Sequence, residues 1–206
     1  MVQFSELEDW SNELSTESNP DALIKYPVCA PDDLRFMNEV SQEFITRARY
    51  HLSQDFLPKI ERCLEKLTDE QIWWRANPSS NSIGNLILHL SGNVRQWIVG
   101  GLGGADDARD RDREFAQREA IPRDPLFAEL KQTVGEAVAT LAKLDEDKLL
   151  EPRKIQGCDV SAIEAILHVV EHFSMHTGQI ILLTKLMTEA DLRFYEFEGN
   201  KPLPRF

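Results

Sequence analysis

Histidines are concentrated in one stretch near the end of the chain, at His168, His172 and His176. On an α-helix, side chains four residues apart differ by ~40° in direction and lie one turn apart on the same face. Two imidazoles at this spacing can present two nitrogen atoms to one metal ion. The spacing alone does not distinguish a metal site from histidines packed in a helix interface. It makes His172 and His176 candidate ligands, and His168 a core or supporting residue.

A candidate third ligand, His89, occurs much earlier in the chain. Asn85 and Asn93 flank it four residues away on either side, so the three side chains form a polar stripe beside an apolar helix face. Polar groups at a helix–helix seam cost free energy unless they are satisfied, and a metal with its bound water would satisfy them. Helical bundles commonly build metal sites from side chains on facing helices. His51 has no histidine partner nearby in the sequence, and we expect it to be structural or exposed.

A densely charged run covers residues 107–115. Its arginines, Arg109, Arg111 and Arg113, could grip a carboxylate or phosphate group of a substrate. The alternative, which we favour, is an ion-paired loop that links two helices. Arg109 and Arg111 are therefore candidate substrate-binding residues. The sequence has neither the Gly-Lys-Ser/Thr ending of a phosphate-binding loop nor the Gly-x-Ser-x-Gly elbow of a serine hydrolase.

The composition excludes several classes of partner. The 206-residue chain has a formal net charge of -12, whereas proteins that bind nucleic acids or anionic membranes concentrate positive charge. No apolar run approaches the ~20 residues that span a bilayer, and the first residues lack the features of a signal peptide. We therefore expect a cytoplasmic protein with no nucleic-acid or membrane partner. Cys29, Cys63 and Cys158 are far apart, which predicts reduced thiols.

The candidate ligands must be positioned by helices, because apolar residues recur at spacings of three and four. The four predicted helices cover residues 34–67, 82–99, 126–144 and, beginning at Asp159 or Ser161, up to about Thr188. Pro58 should kink or split the first of them. Residues 1–33 are distinct, with an excess of acids, and predict an acidic N-terminal extension with one short helix near residues 4–14. The chain is thus expected to be all-α, with a four-helix bundle over residues 34–206.

Two stretches of this pattern resemble a known family. Residues 81–86, with His89 following, and residues 172–180, which contain His-x-x-x-His-x-Gly-Gln, look like the DinB/YfiT-like four-helix-bundle proteins. The resemblance spans about residues 34–187 and does not cover the N-terminal extension. It implies a bundle in up-down-down-up order that is often a homodimer.

The resemblance also implies a divalent metal ion held by three histidines. Matched to the motif residue by residue, these are His89, His172 and His176, whereas His168 does not match it. Three nitrogen ligands and a water suit zinc, nickel or iron(II). Characterised members of the family include transferases and isomerases that depend on bacillithiol, mycothiol or glutathione.

From the resemblance we expect a metal-dependent thiol S-transferase. A small thiol would bind at the metal as its thiolate and attack an electrophilic small-molecule substrate. One alternative is a hydrolase that uses a metal-bound hydroxide, because the same ion lowers the pKa of water. The other is a non-catalytic, metal-binding bundle with a stress-response or ligand-binding role. The sequence leaves these alternatives open.

Overall fold

The computed structural model describes the backbone of residues 31–206 and the side chains from residue 36 onward. The chain divides into two units, Met1–Arg35 and Phe36–Phe206, and all the side chains discussed below belong to the second unit. The short helix predicted near residues 4–14 lies outside the described residues.

The first predicted helix is observed as three consecutive helical segments. These are α1 (Pro31–Tyr50), a π-helical turn (His51–Phe56) and α2 (Leu57–Leu64). Pro58 lies in the first turn of α2 and has no backbone N–H to donate. The π-helical turn ends just before it, and the N–H of Leu57 donates to the carbonyl of Leu52, so the helix continues through this point.

The second bundle helix begins with a strong cap. A four-residue helix, α3 (Asp69–Ile72), precedes α4 (Ile83–Val94). Ser82 caps α4: its hydroxyl accepts from the backbone N–H of Asn85, and the Asn85 side chain accepts from the N–H of Ser82. A second π-helical turn, Arg95–Gly100, follows α4 directly.

Long connections precede each of the last two bundle helices. The first connection contains α5 (Arg111–Ala116) and leads to α6 (Arg123–Leu141). The second contains a 3₁₀ turn (Glu146–Lys148) and leads to α7 (Ala162–Thr188). A reciprocal pair of bonds between Ser161 and Glu164 caps α7, and this cap selects Ser161 from the two predicted starting points.

Two short antiparallel hairpins are added to the helices. The first pairs β1 (Pro152–Ile155) with β2 (Cys158–Ser161), and the second pairs β3 (Tyr195–Glu198) with β4 (Lys201–Pro204). The first hairpin lies between the third and fourth predicted helices, so the fold is not purely helical there. The alternation in β1 and β2 is too short and too polar to predict a strand from sequence.

Contacts between helices establish their directions. Asn93 of α4 meets His168 of α7, while His89, one turn earlier, meets His172, one turn later. These two helices are therefore antiparallel. Arg95, after α4, donates to Thr133 of α6, whereas Asn85 at the start of α4 meets the segment that precedes α6, so α4 and α6 run in the same direction.

The first bundle helix, from α1 through the π-helical turn to α2, runs in the same direction as α7. The ring of Phe56 stacks on Phe173 with centroids 5.9 Å apart, and Cys63 lies beside Thr184 further along both elements. The order is thus up-down-down-up, and the predicted four-helix bundle is confirmed. Buried apolar side chains from all four bundle helices form one core. Among the described residues, no helix combines the length and apolar character needed to cross a membrane.

Candidate metal centre

Three imidazoles converge at the seam between α4 and α7. Nε2 of His172 lies 3.0 Å from Nε2 of His89 and 2.9 Å from Nε2 of His176. One nitrogen of each ring lies within 4.8 Å of the other two. The structure therefore brings together the three histidines predicted from the sequence. Their nitrogen atoms form a set that could hold one metal ion.

Burial keeps two of these rings uncharged at neutral pH. Burial, followed by the neighbouring imidazoles of His176 and His89, lowers the pKa of His172 to about 3. Burial also lowers the pKa of His176, against a hydrogen bond to Gln179 that raises it. A metal ion binds the neutral form of imidazole, so the protein holds these rings in the state that coordination requires.

The outer nitrogen atoms of two of the rings are held by other side chains. Nδ1 of His89 lies 2.8 Å from Oε2 of Glu114, and Nδ1 of His176 lies 2.7 Å from Oε1 of Gln179. An acceptor at Nδ1 selects the tautomer that carries the proton there and leaves Nε2 free to bind metal. Nη2 of Arg109 also lies 3.0 Å from Nδ1 of His89, but it donates to Oε2 of Glu114, which is the nearer partner of that nitrogen. Both acceptor contacts thus favour Nε2 as the ligand atom.

Glu114 is a buried carboxylate, and its charge is compensated by protein groups. It is 9% exposed. Burial would raise the pKa of its carboxyl, but hydrogen bonds from His89 and Arg109 outweigh that effect and hold the pKa below its usual range. Arg109 donates from Nε to one carboxylate oxygen at 2.7 Å and from Nη2 to the other at 3.0 Å. This two-point contact fixes the plane of the carboxylate.

A glycine makes room for this ion pair. A Cβ atom at Gly92 would clash with the carboxylate of Glu114 and lie 2.9 Å from Nε of Arg109. Gly92 lies three residues after His89, on the neighbouring turn of α4. The pair therefore packs directly on the helix backbone, which brings Glu114 within reach of the His89 ring.

Hydrogen bonds from α4, and from the segment that precedes α4, hold the segment that carries Glu114. Nδ2 of Asn85 donates to the backbone carbonyl of Glu114 at 2.8 Å, and Nη2 of Arg75 donates to the carbonyl of Gln117 at 2.9 Å. Arg75 also donates to the Asn85 side chain. Asn85 thus bonds both the cap of α4 and the α5 segment. The sequence analysis proposed that a metal ion and its water satisfy this side chain, but protein groups already do so.

The two predicted substrate-binding arginines occupy different environments. The Arg109 side chain is 5% exposed and bonded to Glu114 and Gln96, so its guanidinium is already engaged by protein groups. Arg111 is exposed and lies over the ring of Phe115, 5.0 Å from its centroid. Phe115 in turn packs against His89, with centroids 4.5 Å apart. Of the two, Arg111 is the more exposed.

The other histidines stand apart from the three-nitrogen set. His168 faces Asn93 and Trp97, in keeping with the supporting role expected for it. His51 lies 3.3 Å from Asp55 and stacks on Phe56. Cys63 is buried, and burial raises the pKa of its thiol to about 11, so it is not a reactive thiolate.

The sequence interpretation missed Glu114 as a partner of His89. Glu114 is one of several acids in the charged run at residues 107–115, and nothing in its spacing separates it from its neighbours. Its distinguishing feature is the residue that follows, because Phe115 is the one apolar aromatic residue in that run. An apolar residue there indicates a face that turns inward, and Glu114 turns inward beside it.

Comparison with solved structures agrees with the fold. A conserved protein from Enterococcus faecalis superposes with a TM-score of 0.57 at 16% identity, covering 74% of this chain and 97% of the other. DinB-like proteins from Bacillus cereus and Bacillus subtilis give TM-scores of 0.56 and 0.55 at 15% and 18% identity. They cover 71% and 76% of this chain, and 91% and 99% of theirs.

Sequence comparison places the chain in a family. No curated protein sequence matches it. A match over residues 39–199 includes α4 to α7 and all three converging histidines. The protein thus has a helical-bundle fold similar to that of these DinB-like proteins, and it belongs to the family described as "Protein of unknown function (DUF1572)".

Proposed function

We propose that this protein is a metal-dependent enzyme, a thiol S-transferase that acts on a small thiol and an electrophilic small-molecule substrate. The observation that carries the proposal is the convergence of three Nε2 atoms, with Glu114 behind His89 and Gln179 behind His176. Three protein nitrogens leave a coordination position open, an arrangement typical of catalytic rather than structural sites.

The donor set fits a divalent ion, with zinc, nickel and iron(II) as the candidates. His89, His172 and His176 would hold it, and two of these rings are neutral at pH 7 because their pKa values are lowered. An ion held there would supply stabilisation of a thiolate over a thiol. The other roles, which are to orient the metal ligands and to border the ligand site, belong to side chains of the protein.

Those residues orient the ligands and border the ligand site. Glu114 holds the His89 ring through Nδ1, and Arg109 fixes the carboxylate. Phe115 covers one side of the His89 ring, and the exposed Arg111 lies above Phe115. An acidic group on the thiol or on the electrophile would pair with Arg111, while the apolar part of the ligand would pack on Phe115.

The test is thiol transfer by full-length protein with added metal, in wild type and in His172→Ala. We expect transfer to be lost in the variant and retained in His51→Ala, which removes a histidine outside the site. Circular dichroism checks that both variants are folded. Unchanged transfer in His172→Ala would refute the proposal. Hydrolysis without thiol would favour the hydrolase, and metal-dependent stability without thiol binding would favour a non-catalytic bundle.

We also propose that the protein forms a homodimer through the outer face of α7. Four large apolar side chains on this face are 48–69% exposed: Leu167, Met175, Leu182 and Leu186. Gly178 lies among them, and a Cβ atom there would meet nothing within 4 Å. Nothing in its own described surroundings therefore requires a glycine, although glycine weakens a helix.

Symmetry explains both the glycine and the charges of this face. Glu171 and Lys185 are exposed and lie equally far from Gly178 along the helix, on opposite sides of it. If two copies of α7 cross antiparallel at Gly178, each Glu171 faces the Lys185 of the other copy. The absence of a side chain at Gly178 allows the two helices to approach closely. A second copy of this chain is thus the occupant that this face fits.

We also propose, from the sequence alone, that the protein is located in the cytoplasm.

A further inference from the structure

A cavity of about 410 Å³ lies between α4, the α5 segment and α6. Its first wall consists of Leu88, Gly92 and Arg95, which are four and three residues apart and therefore share one helix face. The α5 segment forms a second wall, and Ile121 and Glu129 border the cavity from the side of α6. Small-molecule sites in proteins have volumes of about 300–1,000 Å³, so this cavity is large enough to hold a small ligand.

Two buried, charged side chains also line this cavity. Arg109 and Glu114 have side chains that are 5% and 10% exposed, and Nε of Arg109 donates to Oε1 of Glu114 at 2.7 Å. Gly92 lies beside this pair, and a Cβ atom there would clash with Oε1. The half-buried Leu88 and Ile121 add apolar surface. Apolar walls with a few fixed polar groups are typical of preformed ligand sites.

The charges that line the cavity sum to a negative value. Arg109 compensates Glu114, and Arg95 pairs at 3.0 Å with Glu136, which does not line the cavity. The other charged residues of the lining are four acids and one base. They are Asp106, Asp107, Asp110, Glu129 and Arg113. This excess of negative charge favours a cation over a neutral or anionic ligand.

Hydrogen bonds within the α5 segment leave this charge in place. Asp107 accepts from the amide of Gln96 at 2.8 Å and from the backbone N–H of Arg109 at 3.1 Å. Asp110 accepts from the backbone N–H of Arg113 at 3.0 Å. These amide donors are neutral, so they hold the two carboxylates in position without neutralising them.

The arrangement of the acids selects an organic cation rather than a metal ion. Within the described part of the chain, one set of three or more His, Cys, Asp or Glu side chains lies close enough to hold an ion, and it is the set of three histidines. The acids around the cavity are therefore too dispersed to form a three-ligand metal site. An ammonium group does not need such convergence, because it donates up to three hydrogen bonds to separate acceptors.

We propose that this cavity binds a small organic ammonium ion with an apolar body. The ammonium group lies among the exposed acids, since Arg109 would repel it from the inner side of the cavity. The apolar body packs on Leu88 and Ile121. The proposal does not rest on the proposed function, because none of the three converging histidines lines the cavity.

The first test separates the charge of the ligand from its apolar body. Benzylammonium, benzyl alcohol and benzoate share one ring and have charges of plus one, zero and minus one at pH 7. We expect benzylammonium to bind saturably to the full-length, metal-free protein in isothermal titration calorimetry. The other two probes should bind at least about tenfold more weakly. No saturable binding of benzylammonium, or equal binding of the three probes, would overturn the proposal.

The second test locates the bound probe. Asp106→Asn combined with Glu129→Gln removes two acids of the cavity, and Asp112→Asn combined with Glu119→Gln removes two acids that do not line it. All four residues are exposed, and both double variants change the net charge equally. The first should weaken benzylammonium binding at least about fivefold and the second less than about twofold. Equal weakening would assign binding to the overall charge and overturn the site.

A third measurement separates this site from the metal centre. His172→Ala removes a metal ligand but leaves the lining of the cavity intact, so it should bind benzylammonium as tightly as wild type does. Loss of binding in this variant would place the probe at the histidines and overturn the proposal. None of these readouts involves thiol transfer, so failure of the proposed function is distinguished from failure of this one.

Discussion

Nδ1 of His89 lies 2.8 Å from Oε2 of Glu114, a residue that follows it by 25 positions and belongs to a different helix. This contact ties the short helix α5 to the seam between α4 and α7. It holds the tautomer and the direction of the His89 ring, so that Nε2 faces His172. The Glu114–Arg109 pair thus belongs to the candidate metal centre as much as to the charged segment around α5 in which it occurs.

Glu114→Gln is expected to weaken metal binding. The amide keeps one acceptor oxygen but replaces the other with a donor NH₂ group, so one of the bonds from His89 and Arg109 is lost. It also loses the negative charge that increases the basicity of the imidazole. Loss of such a partner typically lowers metal affinity by about 10–100-fold. Competition with a zinc chelator measures the change, and Glu119→Gln, an exposed acid in the same segment, is the control. Equal affinity in both variants would show that Glu114 does not support His89.

Gly92→Ala is expected to destabilise the protein, because its Cβ would displace the Glu114–Arg109 pair. Overpacking of this kind lowers the free energy of unfolding by about 1–3 kcal/mol, and zinc affinity should fall with it. Gly135→Ala is the matched control on helix α6, where a Cβ meets nothing within 4 Å. There we expect a gain of about 0.5–1 kcal/mol. Urea unfolding measures both, and equal effects of the two substitutions would contradict the packing described.

The metal-free protein should become less stable as the pH falls from 7 toward 3. His172 has a folded-state pKa of about 3 against an ordinary value of 6.5, so the unfolded chain takes up a proton in this window and the folded protein does not. The penalty is absent above the ordinary pKa and grows below it. By pH 5 it amounts to about 1–2 kcal/mol.

Urea unfolding at pH 7 and pH 5 measures this dependence, with His172→Gln as the comparison. The variant lacks the titrating ring and should lose much less stability over the same interval. The lowered pKa of His176 acts in the same direction and leaves a smaller residual slope. Identical slopes in wild type and variant would show that His172 is not held neutral by burial.

The dimer proposal predicts a charge-reversal pattern on α7. Glu171→Lys or Lys185→Glu alone places like charges opposite each other at two symmetric positions, and each should raise the dimer dissociation constant at least about tenfold. The double variant restores opposite charges and should restore dimerisation. Light scattering after size-exclusion chromatography measures the mass. A wild-type monomer, or a double variant no better than either single one, would refute this interface.

The sequence was sufficient to predict the bundle, because its information is local. Apolar periodicity located the long helices, and the Ser161–Glu164 pair marked the start of α7. The histidine spacing on α7, combined with the family resemblance, identified the three residues that converge. Each of these features depends on neighbours within one or two helical turns, and such patterns can be recognised in a single sequence.

The parts that were missed depend on contacts between distant segments. Glu114 meets His89 only because α5 folds back over α4, and that approach requires Gly92. The pairing of Arg109 with Glu114 could not be distinguished from a solvated, ion-paired loop. The first hairpin also escaped prediction, since β1 and β2 have four residues each and little apolar alternation.

In the proposed function, helices α4 and α7 share one metal ion. Elemental analysis of untagged, full-length protein tests this sharing directly, comparing wild type with His89→Ala and His172→Ala. We predict about one divalent ion per chain in wild type and none in either variant, because each removes one of three ligands. A well-folded wild-type protein without metal, or variants that retain their metal, would contradict the account.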